Sequence, residues 1–121
     1  MKRLALAGSV MAMLSAGVFA EAPAGKPVDV ALEVSNWTDV ERKAEPVTAG
    51  IPLPAGAVYD LARLQITDAA GKLVPAQFRV LDRWWYEKNS GGISNPSVRW
   101  VLCDFLADAA ANGTAAFRLK T

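Results

Sequence analysis

Short stretches in which large apolar residues alternate with other residues restrict most strongly how this chain can fold. Residues 28–34 carry valine or leucine at every second position. The same period returns in residues 114–120, where Phe117 and Leu119 alternate with Ala116 and Arg118. Successive side chains of a β-strand point to opposite faces, so the pattern predicts strands with one buried face. No segment shows the period near 3.6 of a convincing amphipathic helix.

Proline and glycine divide the chain between these strands. Residues 41–48 form a second extended candidate, in which Pro46 favours an edge position or a break. Residues 49–57 contain two prolines and two glycines, which exclude a helix and a central strand alike. We therefore expect a stiff loop there, with Ile51 and Leu53 as apolar side chains that reach the core.

The remaining segments complete an all-β pattern. Residues 61–67 predict a strand with Leu64 and Ile66 inward, joined through a turn at 68–71 to a long extended run at 72–85. Residues 97–107 are apolar on both faces and predict a central strand that is buried on both sides. Asn112-Gly113 is a hairpin signal. We expect a small barrel or sandwich of five to seven short, mainly antiparallel strands.

The first 20 residues predict a secretory signal peptide. Lys2 and Arg3 precede an Ala- and Met-rich apolar stretch, and Ala20 ends a cleavage pattern. A membrane anchor is the alternative, but the uninterrupted apolar stretch is shorter than a spanning helix needs. We expect a periplasmic or secreted chain without membrane contact after cleavage. Residues 21–121 form a single β domain in this interpretation, expected to be the N-terminal portion of a longer protein; the alternative is a product that ends on an edge strand.

Composition excludes several function classes. The formal net charge is +1 over 121 residues, which gives no electrostatic footprint for nucleic acid. The chain contains no histidine, so a histidine base or metal ligand is excluded. Cys103 is the only cysteine, which rules out an intrachain disulfide and favours a small buried side chain. We expect no cofactor and no metal site, and the ligand spacing of a calcium or magnesium site is not found.

Aromatic and basic residues cluster before the most polar stretch of the chain, residues 87–96. Arg83, Trp84, Trp85 and Tyr86 are the candidate ligand-binding residues. Aromatic rings suit the C–H faces of sugars, and guanidinium groups suit uronate carboxylates. The alternative is that one or both tryptophans pack in the core or against a following domain. Asp104 interrupts an apolar strand, and we expect a buried ion pair with Arg79, Arg83 or Arg99.

Three segments together resemble a known family. They are residues 46–56, residues 64–78 and residues 97–107, whose order and spacing are similar to the N-terminal RIFT-type β-barrel domain of exo-rhamnogalacturonan lyase-like proteins. In that family the domain precedes a large helical domain that carries the catalytic residues, so no catalytic residue transfers to this chain. The resemblance implies a non-catalytic accessory domain that packs on, or extends the substrate groove of, a catalytic domain. An acidic polysaccharide and a helical catalytic domain are the implied partners. The alternative is a free-standing exported binding module with an aromatic-basic contact patch.

Overall fold

The computed structural model describes residues 24–85 and 96–121, which form seven strands in two antiparallel sheets. The strands are β1 (Asp29–Ser35), β2 (Arg42–Pro52), β3 (Gln65–Asp68), β4 (Leu73–Val74), β5 (Ala76–Arg83), β6 (Val98–Ala109) and β7 (Thr114–Lys120). One sheet has the order β1-β7-β3-β4 and the other β2-β6-β5. The predicted all-β class is confirmed, and of the two alternatives the described strands form a sandwich rather than a closed barrel. The predicted signal peptide and most of the polar stretch at 87–96 lie outside the described residues.

Side chains from both sheets meet in one core. Phe105 on β6 and Phe117 on β7 pack edge to face across the two sheets, with ring centroids 5.0 Å apart. Ile66 and Leu119 are fully buried beside them. The alternation predicted for residues 114–120 is confirmed, because Phe117 and Leu119 are buried whereas Arg118 is exposed.

The hairpin between β3 and β4 is confirmed, but the long extended run after it is not one strand. Asp68 shapes the turn, since its carboxylate accepts from the backbone N–H groups of Ala70 and Lys72 at 3.0 and 2.9 Å. The run divides at Pro75, so β4 pairs with β3 while β5 joins the other sheet. Proline lacks the N–H that a continuous ladder uses, which explains the break at this position.

The strand predicted at 61–67 is shorter in the structure. Residues Leu61–Arg63 form a 3-10 turn, and β3 begins only at Gln65. The carboxylate of Asp60 accepts from the backbone N–H of Ala62 at 2.9 Å and caps this turn. Leu64 and Ile66 are nevertheless buried as predicted.

β2 extends into the region predicted as a loop and reaches Pro52. It remains an edge strand, as its prolines require. The N–H of Leu53 donates to the carbonyl of Arg99 on β6 at 2.9 Å. The backbone N–H and carbonyl groups of the odd-numbered residues of this stretch therefore point towards β6. The nitrogens of Pro46 and Pro52 therefore face the open side, where no ladder bond is lost. Ile51 and Leu53 reach the core as predicted.

The prediction that β6 is buried on both sides is wrong. β6 is the central strand of its sheet, but only one of its faces is covered. The buried residues are Val98, Val101, Cys103, Phe105, Ala107 and Ala109. Trp100 and Leu106 are exposed because no described element packs on the outer face of this sheet.

The Asn112-Gly113 turn connects two sheets and does not close a hairpin. β6 pairs with β2 and β5, whereas β7 pairs with β1 and β3. Asn112 takes the left-handed conformation, with φ of 52°, which asparagine tolerates better than most residues. The sequence signal therefore located the turn correctly, but the strands that it joins belong to opposite layers.

Within the described residues, no helix is long and apolar enough to cross a membrane.

Ala44 adopts a strained conformation in a β-bulge of β2. Its φ is 46°, a value that costs a residue with a Cβ about 1 kcal/mol. The strand registers shift between Arg42 and Glu45, and the N–H of Ala44 donates to the Asp108 carboxylate at 2.7 Å. The bulge thus requires a backbone conformation that glycine adopts more readily.

Ala44→Gly is expected to raise the free energy of unfolding by about 0.5 kcal/mol, since relief of the strain exceeds the extra flexibility of the unfolded chain. Denaturant unfolding measures the change. Ala116→Gly, on an exposed position of β7, is the matched control and is expected to lower stability by about 0.5–1 kcal/mol. A loss of similar size in both variants would contradict the assigned strain.

Candidate functional site

Three of the predicted ligand-binding residues, Arg83, Trp84 and Trp85, lie at the end of β5, and the structure gives them different environments. The guanidinium of Arg83 donates to the carbonyl of Pro96 at 2.7 Å. The indole N–H of Trp84 donates to the carbonyl of Leu53 at 3.0 Å, which holds this ring partly buried. Trp85 is 65% exposed. Tyr86 lies outside the described residues.

Arg99 on β6 joins this group from the neighbouring strand. Its guanidinium carbon lies 4.9 Å from the centroid of the Trp84 ring, a cation–π contact. The same guanidinium forms an ion pair with Asp82 on β5, with an N–O distance of 3.8 Å. Both charged side chains are nearly half exposed, so the pair orients Arg99 more than it stabilises the fold. The structure thus brings Arg99 together with Trp84.

An apolar patch lies beside this group, on the outer face of the β2-β6-β5 sheet. A Cβ placed on Gly50 would lie 3.7 Å from the Leu81 Cδ1 atom and 4.0 Å from the Trp100 Cε3 atom. Leu81 and Trp100 thus flank Gly50 on the outside, and they are 49% and 38% exposed. Leu106, which is 56% exposed, lies further along the same face. We call Leu81, Trp100 and Leu106 the outer apolar patch.

Sequence reasoning did not identify this patch as a site. Trp100 and Leu106 lie in the strand predicted to be buried on both sides, and Leu81 lies in the extended run at 72–85. Their exposure depends on which face of the sheet is left uncovered, and strand alternation does not specify that choice. Gly50 gives a weak local signal, because a glycine within a strand often marks a place where other groups approach the backbone closely.

A shallow depression of about 440 Å³ continues the outer face towards the start of β5. Its lining includes Pro46, Thr48, Gln77, Asp104 and Leu106, which come from all three strands of the sheet. The depression is open and offers both a carboxylate and apolar side chains. It therefore extends the surface available to a partner beyond the outer apolar patch.

The predicted buried ion pair of Asp104 is wrong. Asp104 is exposed, and its carboxylate accepts a hydrogen bond from the hydroxyl of Thr48, its neighbour on β2. Among the described residues it forms no ion pair. The expectation failed because it assumed that both faces of β6 are covered, whereas Asp104 lies on the open face. It needs no cationic partner there, since water solvates it.

Cys103 is fully buried, as predicted. It lies on the inner face of β6, and burial raises the pKa of its thiol above the ordinary value. A protonated, inaccessible thiol is a poor nucleophile, which agrees with a packing role. In the part of the chain that the structure describes, no group of three or more cysteine or carboxylate side chains could hold a metal ion.

Comparison with protein families, with curated proteins and with solved structures finds no match to this chain. The end of β5 and the outer apolar patch are the features of the described residues that bear on function.

Proposed function

We propose that the chain is a non-catalytic accessory domain of a secreted carbohydrate-active protein of the exo-rhamnogalacturonan lyase-like kind. It would pack on, or extend the substrate groove of, a catalytic domain outside this chain. The single observation that carries the proposal is the outer apolar patch, which occupies the open face of the β2-β6-β5 sheet.

The composition of that face favours a docking role. A sheet with one solvated face normally alternates apolar residues inward with polar residues outward. Here Leu81, Trp100 and Leu106 point outward instead, and Pro46 and Pro52 on the neighbouring strand add further apolar area. Leu81 and Trp100 lie together beside Gly50, and Leu106 lies further along β6, beyond Asp104. Exposed apolar side chains on an open sheet face mark interaction surfaces. A neighbouring domain laid against this sheet would remove the area from water.

Arg83, Trp84, Trp85 and Arg99 form an aromatic-basic group. This group supports the choice of an acidic polysaccharide as the ligand. Trp85 exposes a flat ring, and Arg99 is fixed against Trp84 with part of its guanidinium accessible. A sugar ring can stack on an exposed indole, and a uronate carboxylate can accept from a guanidinium. The group adjoins the outer apolar patch, so a groove formed with a docked domain would continue over it.

A free-standing exported binding module is the second candidate, and the 65% exposure of Trp85 favours it. Such a module would bind its target alone through the aromatic-basic group. It would then bind equally tightly in isolation and when joined to a helical catalytic domain. An accessory domain would bind more tightly in the joined protein, because the groove is complete only there. Comparing the two affinities distinguishes the candidates.

Trp85→Ala is expected to weaken binding of a rhamnogalacturonan oligosaccharide about fivefold to tenfold, because a stacked ring contributes about 1 kcal/mol. Titration calorimetry measures the affinity. Trp37→Ala is the matched control, since Trp37 is 89% exposed and lies near Ala109, roughly 30 Å along β6 from Trp100. The control is expected to bind as the unchanged protein does.

Two results of this titration would count against the proposed site. Equal affinity of the unchanged protein and Trp85→Ala would remove the aromatic-basic group from the sugar contact. Weaker binding by Trp37→Ala would place the contact at the opposite end of the sandwich.

A further inference from the structure

The free edge of β1 differs from the other free sheet edges of the described residues. On β2, two prolines and the bulge at Ala44 interrupt the open side. β4 has two residues, and β5 carries register shifts near Leu81 and contacts the turn at Leu61–Arg63. β1 has seven residues, no proline and no register shift against β7. A regular, uncovered edge of this length is a template for pairing with another strand.

The hydrogen bonds at its two ends show which backbone groups are available. The N–H of Thr121 donates to the carbonyl of Val28 at 3.1 Å, and the N–H of Asn36 donates to the carbonyl of Gly113 at 2.9 Å. In an antiparallel pair, residues bonded to the neighbour alternate with residues that face away from it. Even-numbered residues of β1 therefore bond to β7. The N–H and carbonyl groups of Asp29, Ala31, Glu33 and Ser35 point to the free side.

We propose that β1 pairs antiparallel with β1 of a second copy of this chain, about a twofold axis at Leu32. The pairing joins two four-stranded sheets into one of eight strands. Residues of the first copy then lie opposite residues of the second in a fixed register: Asp29 opposite Ser35, Val30 opposite Val34, Ala31 opposite Glu33, and Leu32 opposite Leu32. All the odd-numbered residues fall in pairs that exchange two backbone hydrogen bonds.

The side chains are complementary in this register. Val30, Leu32 and Val34 are half-buried at the rim of the core, and each meets an apolar partner on the inner face. No two charges of the same sign lie directly opposite on the outer face. The carboxylate of Asp29 is already paired with Arg118 on β7, at 2.7 Å, and this contact holds the Asp29 pKa below its ordinary value. Because the edge is separate from the outer apolar patch, this inference does not depend on the proposed function.

The mass of the full chain as a function of concentration tests the proposal, by light scattering or sedimentation. We expect the mass to rise from one chain towards two as the concentration increases. Ala31→Glu places a carboxylate opposite Glu33 of the second copy at two symmetry-related positions, and is expected to weaken association about tenfold. The double variant Ala31→Glu/Glu33→Lys is expected to restore it, because opposite charges then face each other.

The fold should survive these changes, since Ala31 is exposed and its neighbour on β7 is Arg118, which attracts the new carboxylate. Circular dichroism checks this. Ala62→Glu, at an exposed position of the 3-10 turn, controls for added charge and is expected to leave association unchanged. A single-chain mass at every concentration up to the millimolar range overturns the proposal. So does a dimer that is insensitive to Ala31→Glu, or a double variant that stays as weak as the single one.

Discussion

Leu119→Ala is expected to lower the free energy of unfolding by about 3–4 kcal/mol. Leu119 has no exposed surface and lies on β7, between Val30 on β1 and Ile66 on β3. Its removal takes several methyl and methylene groups out of the core and leaves a cavity between three strands. A domain of this size has roughly 5–15 kcal/mol of stability in total, so the loss should be evident in denaturant unfolding.

Leu106→Ala is the matched control for this truncation. The same atoms are removed, but Leu106 is 56% exposed on the outer face of the other sheet. We expect a loss below about 1 kcal/mol there, because half of the side chain is already in water. Similar losses in the two variants would mean that the outer face is covered in solution, which would contradict the assignment of an open face.

Asn36→Ala is expected to lower the free energy of unfolding by about 2–3 kcal/mol, since it removes a buried polar side chain and leaves the backbone groups that it bonds without this partner. Asn36 is a buried polar residue after β1. Its side-chain amide donates to the carbonyls of Val40 and Ala110 at 2.8 and 3.1 Å, and its side-chain oxygen accepts from the N–H of Thr38 at 3.1 Å. The side chain thus fastens the β1–β2 turn to the turn that follows β6.

Thr38→Ala separates this fastening role from a merely local one. It removes the γ-methyl and the hydroxyl of an exposed residue, and that hydroxyl donates to the Asn36 side-chain oxygen at 2.7 Å and to the Val40 carbonyl at 3.2 Å. The expected loss in the free energy of unfolding is about 0.5–1 kcal/mol. Thermal or denaturant unfolding of both variants gives the comparison. A larger effect at Thr38 than at Asn36 would show that the contacts to Val40 and Ala110 contribute little.

Local patterns predicted the strands whose alternation reflects one buried and one open face. Residues 114–120 are the clearest example, because each side chain's environment follows from its parity. The turns at Asp68–Gly71 and Asn112-Gly113 could also be predicted from the sequence, since the backbone conformations that they require select particular residues. These signals depend on neighbouring residues in sequence, so contacts with distant parts of the chain do not change them.

Assignment of strands to sheets could not be predicted, because it depends on contacts between distant residues. The sequence of the run at 72–85 predicts one extended segment. In the structure the run divides at Pro75, and β4 and β5 belong to different sheets. The same limit explains the wrong expectation for Asp104: its exposure follows from the absence of a covering layer on the described part of the β2-β6-β5 sheet, not from its apolar neighbours in sequence. Trp84 and Trp85 show the limit within the candidate site, where one ring is held by Leu53 and the next is exposed.

Incubation of the purified chain with rhamnogalacturonan tests the proposed non-catalytic role most directly. A lyase that acts by elimination leaves an unsaturated uronate end, whose ultraviolet absorbance reports each cleaved bond. An accessory domain predicts a flat absorbance trace, even at protein concentrations at which calorimetry detects bound oligosaccharide. A steady rise in absorbance in proportion to the amount of chain added would contradict that role.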